Sequence, residues 1–363
     1  MICLDIIIKA KEKSYPVFIK NNTITNIKTE LNTYLNGKKC LAVICEKVFR
    51  IYGKNLGFEK DEIFILKDGE KEKNFNNYKK IIDRALRMRL TRNDVMIAIG
   101  GGVAGDLTGF AASTYMRGIG FIQIPTTLLA CVDSSVGGKT GINTCFGKNL
   151  AGTFLQPDAV FINTNFLKTL DERQFKTGLG EVVKYAFIEK SCMCEDFNLI
   201  NFLNDYADKI MVRDTDTLNE LIKICLSLKK SVVEKDEKEK GLRRILNFGH
   251  TYGHAVEKYT NYKKYTHGEA VVEGMRYAFN LALQKDLIDK NYLFMADDLF
   301  KKFRFEKLPS FNSEKIHKIM THDKKASTEK IIFVLPNDYS KVGIYEIEIV
   351  ARNFLILSEQ KTL

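Results

Sequence analysis

No stretch of the 363-residue chain is long and apolar enough to suggest a bilayer span. The most apolar run, Phe121 to Val132, is interrupted by Gln123 and Pro125, and a spanning helix needs roughly 18 or more apolar residues. The N-terminal residues lack a basic stretch followed by an apolar run, so no secretory signal is expected. Eight cysteines are present, but none forms a C-x-x-C pair, and Cys192-x-Cys194 is too tight for a zinc knuckle. A chain of this size needs no disulfide staples, and a cytoplasmic, reducing location is expected. Internal repeats and low-complexity tracts are absent. No basic segment is interleaved with aromatics, which argues against a nucleic-acid-binding module.

The composition that remains is globular: 45% hydrophobic and 28% charged residues exclude wholesale disorder. The length predicts two domains. Lys and Arg number 56 against 45 Asp and Glu, a net charge of +11. That balance permits an anionic partner (nucleic acid, an acidic membrane or a phosphorylated small molecule), while a lysine-rich, solvated surface accounts for most of the excess.

Up to about residue 165, short apolar runs alternate with helix-compatible segments. Ile2–Ile8 and Tyr15–Ile19 read as an opening hairpin; Leu41–Cys45, Glu62–Leu66, Val95–Ile99, Phe121–Ile124 and Ala159–Ile162 read as further strands. Residues 75, 78, 81, 82, 85 and 86 give Asn74–Leu90 a helical period. The alternation predicts an α/β domain with a parallel sheet, Rossmann-like, over residues 1–170. Residues 171–363 read as a second, mostly α-helical domain. Its helices are expected around Leu179–Phe187, Leu218–Val233, Gly249–Tyr259, Glu269–Gln284 and Tyr292–Phe303, with strand character returning at Ile331–Leu335 and Ile344–Ile349. The charge-dense run Lys229–Arg244 mixes both signs and reads as a solvated loop with a few buried exceptions.

Twelve of the 24 glycines lie between Gly100 and Gly152. Glycine costs conformational entropy, so such a cluster marks backbone that approaches a ligand closely. Gly100-Gly101-Gly102-Val103-Ala104-Gly105 satisfies G-x-G-x-x-G between a buried strand and a helix, the context in which backbone N–H groups hold a pyrophosphate. The usual acidic ribose partner about 20 residues on is missing, since Asp133 is the next carboxylate after Asp106. Gly137-Gly138-Lys139-Thr140 resembles the tail of a P-loop, but Asp133 stands where its first glycine belongs. His250 and His254 share a helix face at i, i+4, and His267 follows; three of the five histidines fall within 18 residues. With Glu181 they offer a Glu/His/His zinc site with an open position. Spacing does not decide which two histidines bind the metal, and Glu181 with Lys184 also fits a surface pair at i, i+3. Arg117, Lys139, Lys184, Lys229, Arg243 and Lys324 add anion-binding cations around these motifs.

Taken in order, these motifs resemble the 3-dehydroquinate synthase family. The resemblance rests on Gly100–Asp106, Arg117-Gly118, Pro125–Leu129, Asp133–Thr140, Gly147–Leu150, Glu181–Tyr185, Gly241–Arg243, Asn247–Thr251, His254, His267–Ala270 and Asp323–Lys325. It implies an NAD-binding α/β half, an α-helical half, an active site between them, and a homodimer. It implies Glu181, His250 and His267 as ligands of Zn2+ or Co2+, which moves His254 to substrate contact and proton relay. NAD would lie against Asp68, Gly69, Glu70, Lys71, Glu72 and Lys73; against Gly102, Val103, Ala104, Gly105 and Asp106; and against Thr126, Thr127, Lys139, Lys148, Phe166, Leu167, Lys168 and Thr169. Substrate would meet Asp133, Lys139, Asn149, Lys184, Lys229, Arg243, Asn247, His254 and Lys324, with Lys325 the alternative to Lys324. Arg117 would join the phosphate site, from the same chain or its partner. The implied reaction converts 3-deoxy-D-arabino-heptulosonate 7-phosphate to 3-dehydroquinate and phosphate, by transient oxidation, phosphate elimination, re-reduction and aldol closure. A different sugar phosphate cyclase and a metal-dependent polyol dehydrogenase of the same fold are the alternatives. Cys131, Asn163 and Cys45-Glu46 depart from the family's usual residues.

Overall fold

The computed structural model describes residues 6–194, 196–322 and 330–348. Residues 2–5 of the expected first strand lie outside them, as do Asp323, Lys324 and Lys325. The chain divides into two compact units: Met1–Asp171 with Arg213–Lys238, and Glu172–Val212 with Glu239–Leu363.

The first unit is built on a seven-stranded sheet in the order β1-β2-β9-β6-β5-β3-β4. Its strands are β1 (Ile6–Lys9), β2 (Ser14–Lys20), β3 (Cys40–Cys45), β4 (Ile63–Leu66), β5 (Val95–Gly100), β6 (Gly120–Pro125) and β9 (Ala159–Asn163). All neighbours are parallel except β1 and β2, the opening hairpin. Between β6 and β9 the chain makes a separate antiparallel hairpin of β7 (Lys139–Thr144) and β8 (Gly147–Phe154).

The continuous apolar runs follow from burial on both faces of the sheet. Successive side chains of a strand point to opposite faces. Ala42, Ile44, Ile97 and Ile99 therefore enter one core cluster, completed by Val48, Phe49 and Tyr52 of helix α1 (Glu46–Leu56). Leu41, Val43, Met96 and Ala98 enter the other, closed by helices α2 (Phe75–Arg87) and α3 (Gly102–Thr114) through Ile81, Ala85, Ala104, Leu107 and Ala111.

The second unit holds helices α4 (Glu172–Ile188), α6 (His250–Tyr259), α7 (His267–Gln284), α8 (Lys290–Lys302) and α9 (Ser313–His322), with a hairpin of β10 (Lys330–Asp338) and β11 (Lys341–Glu348). The periodicity of α4 suggests one apolar face, yet every residue from Thr177 to Ile188 is buried. Phe187 sits at the centre of an aromatic cluster, 5.0 Å from Phe279 and 5.6 Å from Phe300 between ring centroids.

Two sequence expectations differ from the structure. A single cut at residue 170 assigns Arg213–Lys238 to the second domain, but this segment packs with the first unit. It carries α5 (Thr215–Lys235), capped by Asp214, whose carboxylate accepts from Thr217 N at 2.9 Å. Arg213 donates to the carbonyls of Leu167 and Leu170, and Glu234 and Glu237 accept from the backbone of Lys9 and Lys11. Helical period alone cannot say which unit a helix joins. The second difference is the run Lys229–Arg244, which is a loop only after Lys235. Its first part is helical, and Lys229, Glu237 and Arg243 are buried at 4%, 5% and 2% exposure. Charged side chains are almost never fully buried unless paired, so this burial points to specific partners.

Candidate active site and metal centre

The expected NAD residues gather where the parallel strands end. Asp68–Lys73 follows β4, Gly102–Asp106 follows β5, Thr126-Thr127 follows β6, and Phe166–Thr169 follows β9. In open α/β sheets, ligands sit outside the carboxyl ends of the strands, at the point where strand order reverses. Here that reversal lies between β3 and β5, since β4 flanks β3 on its other side. Gly100 is required at this point: a Cβ there would meet Cys45 Sγ at 2.4 Å and Ala104 Cβ at 2.8 Å. Cys45 thus fills the space beside the glycine loop, and Asp68 accepts from Lys47 N at 3.0 Å, at the start of α1. Thr127 Oγ1 accepts from Ala130 N, and Thr169 Oγ1 bonds the Tyr52 hydroxyl at 2.8 Å.

Lys73 ties the cofactor loop to the hairpin. Its buried ammonium donates to Asp106 Oδ2 and to Asn149 Oδ1. Burial raises the Asp106 carboxyl, and the Lys73 charge and hydrogen bond work against that rise. Asn149 adopts φ 57°, and its N–H donates to Asn143 Oδ1 at 3.0 Å. Asn143 N in turn donates to the Lys73 carbonyl at 2.9 Å. Lys148 is half-buried on β8, Lys139 is exposed at the start of β7, and Arg117 is exposed in a left-handed turn at φ 68°.

Asp133 lies in a π-helical turn, Ala130–Ser134, a local distortion frequent at functional sites. Lys229 reaches it from α5, with Nζ 2.9 Å from Oδ1 and 2.5 Å from the carbonyl oxygen.

The second unit assembles the metal-type constellation. Glu181 and Lys184 come from α4, His250 and His254 from α6, and His267 is the first residue of α7. These helices meet at glycines. A Cβ on Gly180 would lie 2.7 Å from the Gly268 backbone, and one on Gly274 would lie 1.8 Å from Gly249 O. Any larger residue would force the helices apart. Thr266 caps α7 in a reciprocal box with Glu269, fixing where His267 begins.

His250 Nε2 and His267 Nε2 each lie 3.5 Å from Glu181 Oε1. The other ring nitrogens are engaged: His250 Nδ1 with the Phe248 carbonyl at 3.1 Å, and His267 Nδ1 with Glu257 Oε2 at 3.2 Å. Burial pushes the His250 imidazole down to about 3, against the pull of the Glu181 carboxylate. Burial would also lower His267, but its hydrogen bonds to Glu181 and Glu257 hold it up at about 10. Glu181 and Lys184 are not a surface pair. They form a buried ion pair, each 1% exposed. The donor set of one carboxylate oxygen and two imidazole nitrogens, each imidazole oriented through its second nitrogen, fits Zn2+ or Co2+. The ambiguity that spacing left open is narrowed by this geometry: Glu181, His250 and His267 converge, while His254 is more exposed and groups with Glu257 and His267. Arg243 is buried in the turn Leu242–Asn247, and Asn247 Nδ2 donates to Glu239 Oε1 at 2.7 Å. Sequence reading missed Glu239 inside its charge run. It also missed Glu257, although residues 250, 254 and 257 share one helix face.

The fold and this constellation define a metal- and nucleotide-type α/β-plus-α enzyme, and comparison with known proteins narrows the class. Residues 63–177 match the 3-dehydroquinate synthase N-terminal family and residues 178–326 its C-terminal counterpart. The chain is 40% identical over 351 residues to the 3-dehydroquinate synthase of Prochlorococcus marinus subsp. pastoris, covering 94% of this chain and 95% of that one. It is 42% identical over 340 residues to that of Dictyoglomus thermophilum, covering 93% of each. Among solved structures, a 2-deoxy-scyllo-inosose synthase complexed with carbaglucose-6-phosphate, NAD+ and Co2+ matches at TM-score 0.82 and 25% identity, covering 96% and 97%. A probable glycerol dehydrogenase from Sinorhizobium meliloti shares the fold at TM-score 0.61 and 16% identity, covering 84% and 88%. The chain belongs to the 3-dehydroquinate synthase family. Among the described residues no helix is long and apolar enough to cross a membrane.

Proposed function

We propose that the chain converts 3-deoxy-D-arabino-heptulosonate 7-phosphate to 3-dehydroquinate and inorganic phosphate. The observation that carries this reading is the carboxylate–imidazole metal constellation of the second unit, with Lys184 buried in an ion pair at Glu181. Burying a charge is costly unless it is paired. Glu181 pairs Lys184 in the second unit and Asp133 pairs Lys229 in the first, and buried cations of this kind suit a substrate that is anionic at both ends.

Bound NAD supplies a hydride acceptor and donor, and a Zn2+ or Co2+ ion held by Glu181, His250 and His267 supplies Lewis acidity toward substrate hydroxyl oxygens. Asp106, steadied by Lys73, orients the nicotinamide end of the cofactor site. His254 relays the proton released from the oxidised hydroxyl. Lys139, Lys148 and Arg117 neutralise phosphate, and Lys184, Lys229, Arg243, Lys324 and Asn247 hold the substrate by charge and hydrogen bonding. Asp133 and Asn149 bond its hydroxyls. Correct positioning supplies much of the rate, because elimination and aldol closure are then intramolecular events. The departing phosphate can serve as its own base, so no enzyme base for that proton is assigned.

The chain acts as a homodimer in the cytoplasm. The apolar Phe146, Leu150 and Phe154, exposed on the β7–β8 hairpin, support self-association. The described cysteines, which are thiols rather than disulfides, support a reducing compartment. The test is phosphate release from the heptulosonate phosphate with equal formation of 3-dehydroquinate. Absence of both products with NAD and zinc supplied would overturn the reading.

A further inference from the structure

We propose that Glu257 is a positioning residue that aims His267 Nε2 at the metal and sets the metal affinity of the site. The inference rests on reading Glu181, His250 and His267 as metal ligands. Glu257 is 3% exposed, and carboxylates are rarely buried so fully without a specific partner. Its Oε2 lies 3.2 Å from His267 Nδ1. On the opposite side of that ring, Nε2 faces Glu181 Oε1 at 3.5 Å. The imidazole is thus held between two carboxylates. The one at Nδ1 fixes the tautomer that leaves Nε2 to accept a metal, and it raises the ring's basicity.

The backbone makes this arrangement specific. Glu257 follows His250 by seven residues and His254 by three on α6, so all three lie along one face of that helix. His267 opens the next helix, and its start is fixed by the Thr266–Glu269 box. His250 reaches the same end differently, through the Phe248 carbonyl at its Nδ1. The two ligand imidazoles therefore have unlike supports, one neutral and one anionic. Only the anionic one can be altered by a side-chain substitution.

The test uses the full-length chain stripped of metal, titrated with Zn2+ against a competing chelator and with Co2+ by visible absorption. Glu257→Ala should weaken Zn2+ about 100-fold and change the cobalt spectrum, as removal of such partners does. Glu257→Gln keeps an acceptor oxygen and the side-chain volume, and should recover part of that loss, to about 10-fold. The metal-free melting temperature of Glu257→Gln should match the parent's, which separates aiming from packing. If Glu257→Ala does not fold, the Gln variant alone decides. Parental zinc affinity and an unchanged cobalt spectrum in the folded variants would overturn the proposal. Failure of the parent to take up one ion per chain would instead remove the metal-site reading, and this inference with it.

Discussion

Lys229 Nζ holds Asp133 twice, by its carboxylate at 2.9 Å and by its backbone carbonyl at 2.5 Å. The lysine comes from α5, and the aspartate from a π-helical turn. The pair joins the segment Arg213–Lys238 to the strand-bearing part of the first unit. Lys229→Met should therefore act in two ways. It should destabilise by about 1–3 kcal/mol, the cost of leaving buried partners unsatisfied, and it should lower kcat/KM by at least about 10²-fold through misplacement of Asp133. Lys223→Met, at an exposed position of the same helix, should do neither. Urea unfolding and steady-state kinetics on both variants check this, and equal effects would deny Lys229 a specific role.

The metal reading makes a separate prediction about the histidines. Chelation should abolish activity, and Zn2+ or Co2+ should restore it. His267→Ala should lose the ion, while His254→Ala should keep the ion and lose rate. The reason is that Glu181, His250 and His267 converge, whereas His254 shares Glu257 and His267 from the more exposed side. Metal content by elemental analysis of the two variants decides. An empty His254→Ala protein would mean that the ligands are the pair at i, i+4.

Close helix contact at the constellation predicts a steric effect without any chemistry. A Cβ on Gly274 would lie 1.8 Å from Gly249 O, a backbone atom just before His250. Backbone cannot step aside as a flexible side chain can. Gly274→Ala should cost about 1–3 kcal/mol or more, as overpacking does, and should lower metal retention by displacing α6 from α7. Thermal melts with and without Zn2+ measure both. A variant as stable and as metal-rich as its parent would show that the helices can separate freely.

Much of this was legible before the structure. The buried strands β3, β5 and β9 read as continuous apolar runs because both faces of the sheet are covered. The glycine cluster marked the loop at the ends of β5 and β6 because close approach is written in residue type. The hairpin β7–β8 went unread: its β8 carries exposed and half-buried residues in no clean alternation. Lys229 and Arg243 read as anion-binding cations, but the extent of their burial was hidden inside a run of mixed charge. Charge runs report composition, whereas burial depends on partners far away in sequence, such as Asp133. Glu257 was visible as a helix-face neighbour of His250 and His254, but its role depends on where α7 begins, and no local pattern gives that.

The basic excess itself can be tested as a site or as a field. Lys139 opens β7 directly after Gly137-Gly138, and that loop is pinned: Gly137 N donates to the Tyr15 hydroxyl at 3.2 Å, and Leu155 N donates to Gly138 O at 2.8 Å. A lysine on a fixed loop can hold a phosphate, whereas Lys60, exposed in a short turn before β4, is placed only to meet water. Lys139→Ala should raise KM for substrate and for NAD, and Lys60→Ala should leave both unchanged. Similar losses for the two would mean that the net charge of +11 acts as a general attraction.

The last prediction separates a synthase from a polyol dehydrogenase, a class to which the fold alone also extends. A dehydrogenase releases an oxidised product and exchanges its reduced cofactor. A synthase must keep the oxidised substrate bound until phosphate has left and the hydride has been returned. Lys184 and Arg243 of the second unit and Lys229 of the first are each buried, so an anion paired with any of them gives up little to solvent screening and is held strongly. Retention of the intermediate then outlasts its conversion, and positioning makes the following steps intramolecular. With enzyme, heptulosonate phosphate and catalytic NAD, phosphate should accumulate over many turnovers while absorbance at the NADH band stays flat. Omitting NAD should stop phosphate release. Arg243→Met should loosen the grip, so that some turnovers strand the cofactor as NADH and phosphate release falls. Growth of NADH in step with substrate consumption by the parent enzyme would instead place the chain among the dehydrogenases in chemistry as well as in fold.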